Sequence, residues 1–167
     1  MLPAPLLSVS YKEVSYVKLL RAGVYLLNSA DKKKGLSLAI EPRFGFSSHD
    51  GKRLTGMVTR RTSLEGGPSF DWDLDWLAIN LAWFADLNGA SHGSSLRATL
   101  YRQLLTDPPW DLGIFLSADR MNGKVVNYYF GVPITEATAE RPYYQPAAST
   151  NYAFGATRPR CRATPPT

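Results

Sequence analysis

Cysteine, long apolar runs and a dominant charge are all missing from this sequence. A single cysteine, Cys161, excludes an internal disulfide framework and a multi-cysteine zinc site. No stretch approaches the ~18 consecutive apolar residues of a transmembrane helix, and the best candidate, residues 76–85, is interrupted by Asn80. The net charge is +5, but three of these charges are arginines in the last ten residues. The nearly neutral remainder argues against a nucleic-acid-binding protein.

Hydrophobic and polar residues alternate with a period of two along much of the chain, which indicates β-strands. Residues 35–46, 96–103 and 110–119 all follow this pattern. The apolar face so defined contains Leu36, Leu38, Ile40, Leu112, Ile114 and Leu116. In residues 69–86 the alternation shifts by one position after Trp76, which predicts a β-bulge within one long strand.

The connections between these segments predict an up-and-down meander of about eight strands without helices. The remaining strands are expected in residues 6–11, 14–27, 124–132 and 151–156. Asn122-Gly123 has the composition of a two-residue hairpin turn. The two long connections, residues 47–68 and 133–150, are expected at the same end of the sheet, with mostly short turns at the other end.

Alternation alone does not determine which face of a barrel is inside, so two architectures stay open. A soluble β-barrel would bury the apolar face and bind a hydrophobic small ligand there, whereas an outer-membrane barrel turns that face outward. Strands of ten to twelve residues match the ~9–11 needed to cross a bilayer. Aromatic residues near strand ends are typical of interfacial girdles. These features favour the membrane barrel.

The polar face predicts a charged row along the lumen or rim of such a barrel, consisting of Glu41, Arg43, Asp71, Asp73, Asp75 and Arg97. Asp71, Asp73 and Asp75 resemble the start of a calcium loop, but Trp76 and Ala82 stand where that loop needs glycine and glutamate. Neutralisation of these carboxylates by neighbouring arginines is the favoured interpretation. We expect no cofactor and no metal site.

A catalytic site is not expected either. His92 lies among serines in a short turn, an arrangement that a barrel-borne hydrolase could use. No acidic residue that could orient the imidazole stands at a recognisable spacing. The sequence is therefore interpreted as that of a protein without enzymatic activity.

Several segments together resemble one family of bacterial membrane proteins. They are Gly35–Phe46, Leu64–Pro68, Trp76–Leu87, Gly89–Gly93, Asn127–Val132, Glu136–Thr138 and Arg141–Pro146. In these segments, which extend over most of the chain, the sequence is similar to the MipA/OmpV family. The resemblance implies an all-β fold, an antiparallel up-and-down transmembrane β-barrel in the outer membrane of a Gram-negative cell. It also implies a scaffold role, with a lytic transglycosylase and a penicillin-binding protein as partners. We interpret the sequence as that of a non-enzymatic scaffold or a passive pore, with the long loops as contact surfaces.

The sequence departs from this family pattern at both ends. The first residues do not have the features of a signal peptide. The last residues, 157–167, contain three prolines and three arginines, a composition that a central strand does not tolerate. We therefore expect a barrel domain in residues 1–156, incomplete relative to the family, followed by an irregular tail.

Overall fold

Nine strands form a single antiparallel sheet in the computed structural model, which describes residues 8–11, 15–18, 20–31, 33–105 and 112–157. Each strand pairs with its neighbours in sequence, so the predicted up-and-down order is confirmed, with one strand more than expected. The strands are β1 (Ser8–Tyr11), β2 (Ser15–Lys18), β3 (Arg21–Asn28), β4 (Lys34–Arg43), β5 (Ser63–Asp73), β6 (Ala78–Asp86), β7 (Ser94–Leu105), β8 (Leu112–Met121) and β9 (Ser149–Thr157). The described residues also contain one helix, α1 (Gly123–Phe130), and two 3-10 turns, Lys52–Leu54 and Ile134–Glu136.

The sheet is strongly curved. Neighbouring strands lie about 4.8 Å apart, so β4 and β8 would be about 19 Å apart in a flat sheet. Instead, Nη2 of Arg43 on β4 lies 3.4 Å from Oδ2 of Asp119 on β8. In the described residues β1 and β9 do not pair with each other. The sheet is therefore an open trough, an incomplete barrel with a concave inner face.

Apolar side chains cover the convex outer face. Leu38, Ile40, Ile114 and Leu116 have exposed fractions between 43% and 52%. Leu36 and Leu112, which belong to the same sequence pattern, are half-buried. The soluble-barrel alternative is therefore wrong, because it requires these residues to line the interior.

Two segments that the sequence predicts as single strands are hairpins. Residues 14–27 contain β2 and all but the last residue of β3, and residues 69–86 contain the end of β5 and all of β6. The β-bulge prediction was wrong, because the shift in alternation marks a tight turn at 74–77, where the Leu74 N–H donates to the carbonyl of Leu77 over 2.9 Å. Asp75 adopts φ 67° in this turn, a left-handed conformation that aspartate tolerates better than most residues.

The segment 124–132 is helical rather than a strand. Asn122 does not form a hairpin turn; its side-chain oxygen accepts the Val125 N–H over 3.1 Å and caps α1. One face of the helix then buries Val125, Val126 and Tyr129, which cluster with Met121 at the end of β8. Capping and burial together therefore override the high β-propensity of valine and tyrosine in this segment.

The two ends of the sheet differ, as the sequence predicts. One end, here called the long-loop end, contains the connections 44–62, 87–93 and 122–148. The other, the short-turn end, contains the turns 29–33 and 74–77. Trp110, the segment 106–111, Lys32 and the tail 158–167 lie outside the described residues. Among the helices that the structure describes, none is long and apolar enough to cross a membrane.

Candidate functional site

Six charged side chains meet on the inner face and form a continuous network, here called the charged seam. Its members come from five strands: Arg21, Glu41, Arg43, Glu65, Arg97 and Asp119. Alternation turns one side of each strand inward, and the curvature of the sheet then brings these side chains within reach of each other. Arginines and carboxylates are equal in number, so their formal charges balance.

Glu41 and Asp119 connect the arginines of this seam. Glu41 accepts from Nε of Arg21 over 2.9 Å and from Nη1 of Arg97 over 2.6 Å. Asp119 Oδ2 accepts from Arg97 over 3.2 Å and from Arg43 over 3.4 Å. Each of these carboxylates therefore bridges two arginines that belong to different strands.

Arg43 has the most extensive contacts of the seam. Its Nε and Nη2 donate to the two oxygens of Glu65 over 2.6 and 3.0 Å, a bidentate geometry. It also donates to Ser95 and lies 3.4 Å from the sulfur of Met121. Glu65 is only 1% exposed and the Arg43 side chain is 20% exposed, so the carboxylate of this pair is removed from water and the guanidinium is mostly so. The seam thus fills the inner face close to the long-loop end.

The structure separates the residues of the predicted charged row. Glu41, Arg43 and Arg97 belong to the charged seam, whereas the three aspartates lie toward the short-turn end. Arg21 and Glu65 join the seam without having been singled out from the sequence. Glu65 lies in a segment predicted as a loop, and residues around Arg21 alternate poorly, so the sequence offered only a weak signal for either.

Asp71, Asp73 and Asp75 have separate partners. Asp71 accepts from the Asn80 amide over 2.9 Å, and Asp73 accepts the Asp75 N–H over 2.9 Å. Asp75 lies in the turn after β5 and pairs with Lys33 over 2.6 Å, and this hydrogen bond raises the pKa of the Lys33 ammonium group. No group of three or more His, Cys, Asp or Glu side chains suited to a metal ion occurs among the described residues.

A cavity opens on the inner face at the short-turn end. Its volume is about 680 Å³. We call it the vestibule; its lining includes Tyr25, Asn28, Asp71, Asp73, Asn80 and Tyr101. Nη1 of Arg21 lies 3.3 Å from Oδ1 of Asn80, so the charged seam forms the inner wall of this cavity. The vestibule is therefore bounded by the seam on the side of the long loops.

Helix α1 covers the opposite end of the inner face. The Tyr129 hydroxyl donates to the carbonyl of Arg43 over 3.2 Å and accepts the Ser63 N–H over 3.2 Å. The neighbouring Tyr128 hydroxyl accepts the Arg61 N–H over 2.8 Å. Burial raises the pKa of the Tyr129 phenol. The helix is thereby fixed to the ends of both β4 and β5.

A buried ion pair connects the two long loops, and we call it the loop latch. Both guanidinium Nη atoms of Arg60 donate to the carboxylate of Glu136, over 3.0 and 2.9 Å. Arg60 is 9% exposed and Glu136 is 6% exposed. Arg141 adds hydrogen bonds to the carbonyls of Glu136 and Thr55. The loops 44–62 and 122–148 therefore form one unit.

The serine-rich turn around His92 is organised by a carboxylate. Asp86 accepts the backbone N–H groups of Asn88, Ser91 and His92 over 2.6–3.1 Å. The His92 side chain is exposed and, within the described residues, makes no hydrogen bond with a serine hydroxyl. Within the described part of the chain, His92 therefore does not activate any of the neighbouring serines.

An apolar convex face, a charged concave face and sequential antiparallel pairing define a protein of the up-and-down β-barrel class, here with the polarity of its faces inverted relative to soluble barrels. The family model described as MltA-interacting protein MipA matches residues 1–159, and the chain belongs to this family. No curated protein and no solved structure matches the chain. Two residues of the segments that resemble the family meet at the loop latch: Glu136 is its carboxylate, and Arg141 donates to the backbone carbonyl of Glu136.

Proposed function

We propose that this chain is an outer-membrane β-barrel protein of MipA type that serves as a non-enzymatic scaffold for murein-processing enzymes. The observation that carries the proposal is the distribution of polarity on the curved sheet. Leu38, Ile40 and Leu116 are exposed outside, while the arginines and carboxylates of the charged seam are enclosed inside.

Hydrocarbon is the environment that this outer face requires. A contiguous apolar surface is unfavourable in water but favourable against lipid tails. The central strands have suitable lengths: β4 and β8 contain 10 residues and β7 contains 12, against the ~9–11 of a membrane-spanning strand. Phe44 and Trp83 near the long-loop end, and Trp72 near the short-turn end, are exposed where interfacial aromatics are expected.

A scaffold role is favoured over a passive pore. The charged seam joins β3 and β4 to β7 and β8 across the inner face, and α1 covers the long-loop end. An open pore requires a continuous water-filled path, which side chains joined across the lumen oppose. This choice is supported by the ion pairs of the seam, because each of its three arginines and three carboxylates takes part in at least one of them.

The proposed partners are a lytic transglycosylase, as the family description indicates, and a penicillin-binding protein. In bacterial outer-membrane barrels the short turns face the periplasm, and the longer loops face outward. Because murein lies in the periplasm, we place the partner contact at the short-turn end rather than at the long loops that the sequence favoured. Trp76 is 61% exposed in the turn 74–77 and is the largest apolar side chain there.

Depth-dependent quenching of fluorescence tests membrane insertion. The chain is prepared with Trp83 as its single tryptophan and reconstituted into vesicles with brominated acyl chains. Trp83 is half-exposed on the outer face, so we expect strong quenching. The matched control moves the single tryptophan to the inner face by Phe115→Trp with Trp83→Phe, and we expect little quenching. Equal quenching at the two positions would refute the proposed orientation.

Binding to a purified lytic transglycosylase MltA tests the scaffold role separately. The full chain in detergent micelles should bind the enzyme, and Trp76→Ala at the short-turn end should weaken this binding. Phe130→Ala is the matched control, because Phe130 is similarly exposed (57%) but lies in α1 at the long-loop end. If the enzyme does not bind, the scaffold role is wrong while the barrel architecture stands. If only Phe130→Ala weakens binding, the contact surface is at the long loops.

A further inference from the structure

We propose that the vestibule is a binding site for the ammonium group of a small aliphatic amine. The site is independent of the scaffold role, because it is formed by this chain alone. Asp71 and Asp73 would bind the cation, and the rings of Tyr25 and Tyr101 would contact its alkyl chain.

The first argument is uncompensated charge. Glu41, Glu65 and Asp119 on the inner face each form an ion pair with an arginine. In contrast, neither Asp71 nor Asp73 forms an ion pair with any described lysine or arginine; their hydrogen bonds come from neutral N–H groups. Asp71 is half-buried and Asp73 is exposed at the rim, and two carboxylates side by side in a cleft add their negative potentials there, which attracts a cation.

The charges around the vestibule do not cancel this attraction. Lys33 is the cationic side chain in the described lining, and its ammonium group is paired with Asp75 over 2.6 Å. Asp31, in the same turn, contributes another carboxylate, which accepts the backbone N–H of Lys33 over 3.1 Å. Among the described lining residues, Asp71 and Asp73 outnumber Lys33, so this part of the lining is negative, whereas the charged seam nearer the long loops is balanced.

The shape and the remaining lining fit an organic cation. A volume of about 680 Å³ lies within the ~300–1,000 Å³ of small-molecule sites. Tyr25 and Tyr101 provide aromatic rings, which attract alkylammonium groups and pack against methylene chains. The amides of Asn28 and Asn80 add polar groups to the wall.

A metal ion fits this lining less well. Ca²⁺ requires about 6–8 oxygen ligands, and Mg²⁺ requires near-octahedral coordination. Two aspartates separated by one residue on β5 lie about 7 Å apart along the strand. No group of at least three acidic, histidine or cysteine side chains converges in the described structure. An ammonium group needs fewer and less rigidly placed acceptors.

Calorimetric titration of the full chain in detergent micelles tests the proposal, with cadaverine (1,5-diaminopentane) as the probe and 1,5-pentanediol as its neutral match. We expect cadaverine to bind and the diol not to bind. Asp71→Asn should weaken cadaverine binding about tenfold, because one charge-assisted contact is lost. Glu140→Gln, which removes an exposed acid at the long-loop end, should leave the affinity unchanged.

Asp73→Asn provides a second variant at an exposed position, so the test does not depend on one substitution. Each variant is first compared with the unmodified chain by circular dichroism. Weaker binding in either aspartate variant, with Glu140→Gln unchanged, supports the site. Equal binding of amine and diol, no binding of cadaverine, or unchanged affinity in the double variant Asp71→Asn/Asp73→Asn would overturn it.

Discussion

In the half of the inner face nearest the long loops, Glu41, Glu65 and Asp119 each receive arginine hydrogen bonds, whereas in the half nearest the short turns Asp71 and Asp73 receive only neutral donors. The first half is also covered by α1, while the second opens into the vestibule. The same strands β5 to β7 contribute to both halves, so the difference is one of side chains rather than of fold.

This contrast indicates a division of roles along one sheet. Enclosed charges are tolerated only when they are paired and hydrogen-bonded. The charges of the seam and of the loop latch are therefore used in ion pairs that hold the fold together. Asp71 and Asp73 in the vestibule form no ion pair with a described side chain, so their charges are available to a bound cation. Substitutions in the two halves should therefore have opposite consequences for stability and for binding.

The largest effect is expected at Glu65. Glu65→Gln removes the negative charge from the bidentate partner of Arg43 and leaves a largely buried guanidinium with weaker compensation from Asp119. Removing one partner of a buried pair costs about 3–5 kcal/mol of unfolding free energy. Urea titration of the chain refolded in detergent measures this loss, with Glu140→Gln as the exposed control. A loss similar to that of the control would show that the seam does not stabilise the sheet.

The loop latch should give a large but local effect. Glu136→Gln leaves Arg60 buried without its counter-ion, at a cost of about 3 kcal/mol. Since cleavage follows the population of open loops, we expect limited proteolysis of 44–62 and 122–148 to accelerate on the order of a hundredfold. Proteolysis combined with mass spectrometry locates the cuts. Cuts distributed equally over the strands would mean that the latch supports the whole sheet.

A smaller effect is expected at the helix cap. Asn122→Ala removes the acceptor for the Val125 N–H, and such a loss costs about 1 kcal/mol. Asn122→Asp keeps a side-chain oxygen at this position and should retain most of the stability. Urea titration compares the two variants. Equal stability of both would contradict the capping role and would make burial of Val125 and Tyr129 the cause of helix formation.

Alkaline pH should weaken the contacts that Tyr129 makes at the long-loop end. The pKa of Tyr129 is raised in the folded chain above its ordinary value of 10.0, so folding favours the neutral phenol. This stabilisation is complete below pH 10 and is lost as the pH rises through the folded-state pKa. Unfolding free energies measured between pH 8 and 11 should therefore fall more steeply for the unmodified chain than for Tyr129→Phe. Parallel curves would exclude this linkage.

The faces of the sheet were predictable from the sequence because side-chain direction in a strand has a period of two. Alternation therefore placed Leu38, Ile40 and Leu116 on one common face, and strand length and the position of the aromatic residues favoured that face as the outer one, where the structure has it. The partners within the seam were not predictable. Arg43 meets Asp119 only because curvature brings β4 close to β8, and alternation contains no information about curvature.

Helix α1 was not predicted from the sequence, for a different reason. Its eight residues are too few for a helical period to stand out, and Val125, Val126, Tyr128 and Tyr129 have high β-propensity. The segment is helical because Asn122 caps it and because its apolar side packs on Met121. Both causes depend on where β8 ends, which alternation does not define sharply.

The smallest effect on stability, and the sharpest test of the contrast, comes from one chemical change made in each half. Asp71→Asn and Asp73→Asn remove charges that have no cationic partner among the described side chains, so we expect changes within about 0.5 kcal/mol. Glu41→Gln makes the same kind of change where two arginines donate, and it should cost several-fold more. Urea titrations of the three variants under identical conditions provide the comparison. If Asp71→Asn destabilises the chain as much as Glu41→Gln does, the charge of Asp71 stabilises the fold. The contrast between a structural half and a ligand-binding half of the inner face would then be wrong.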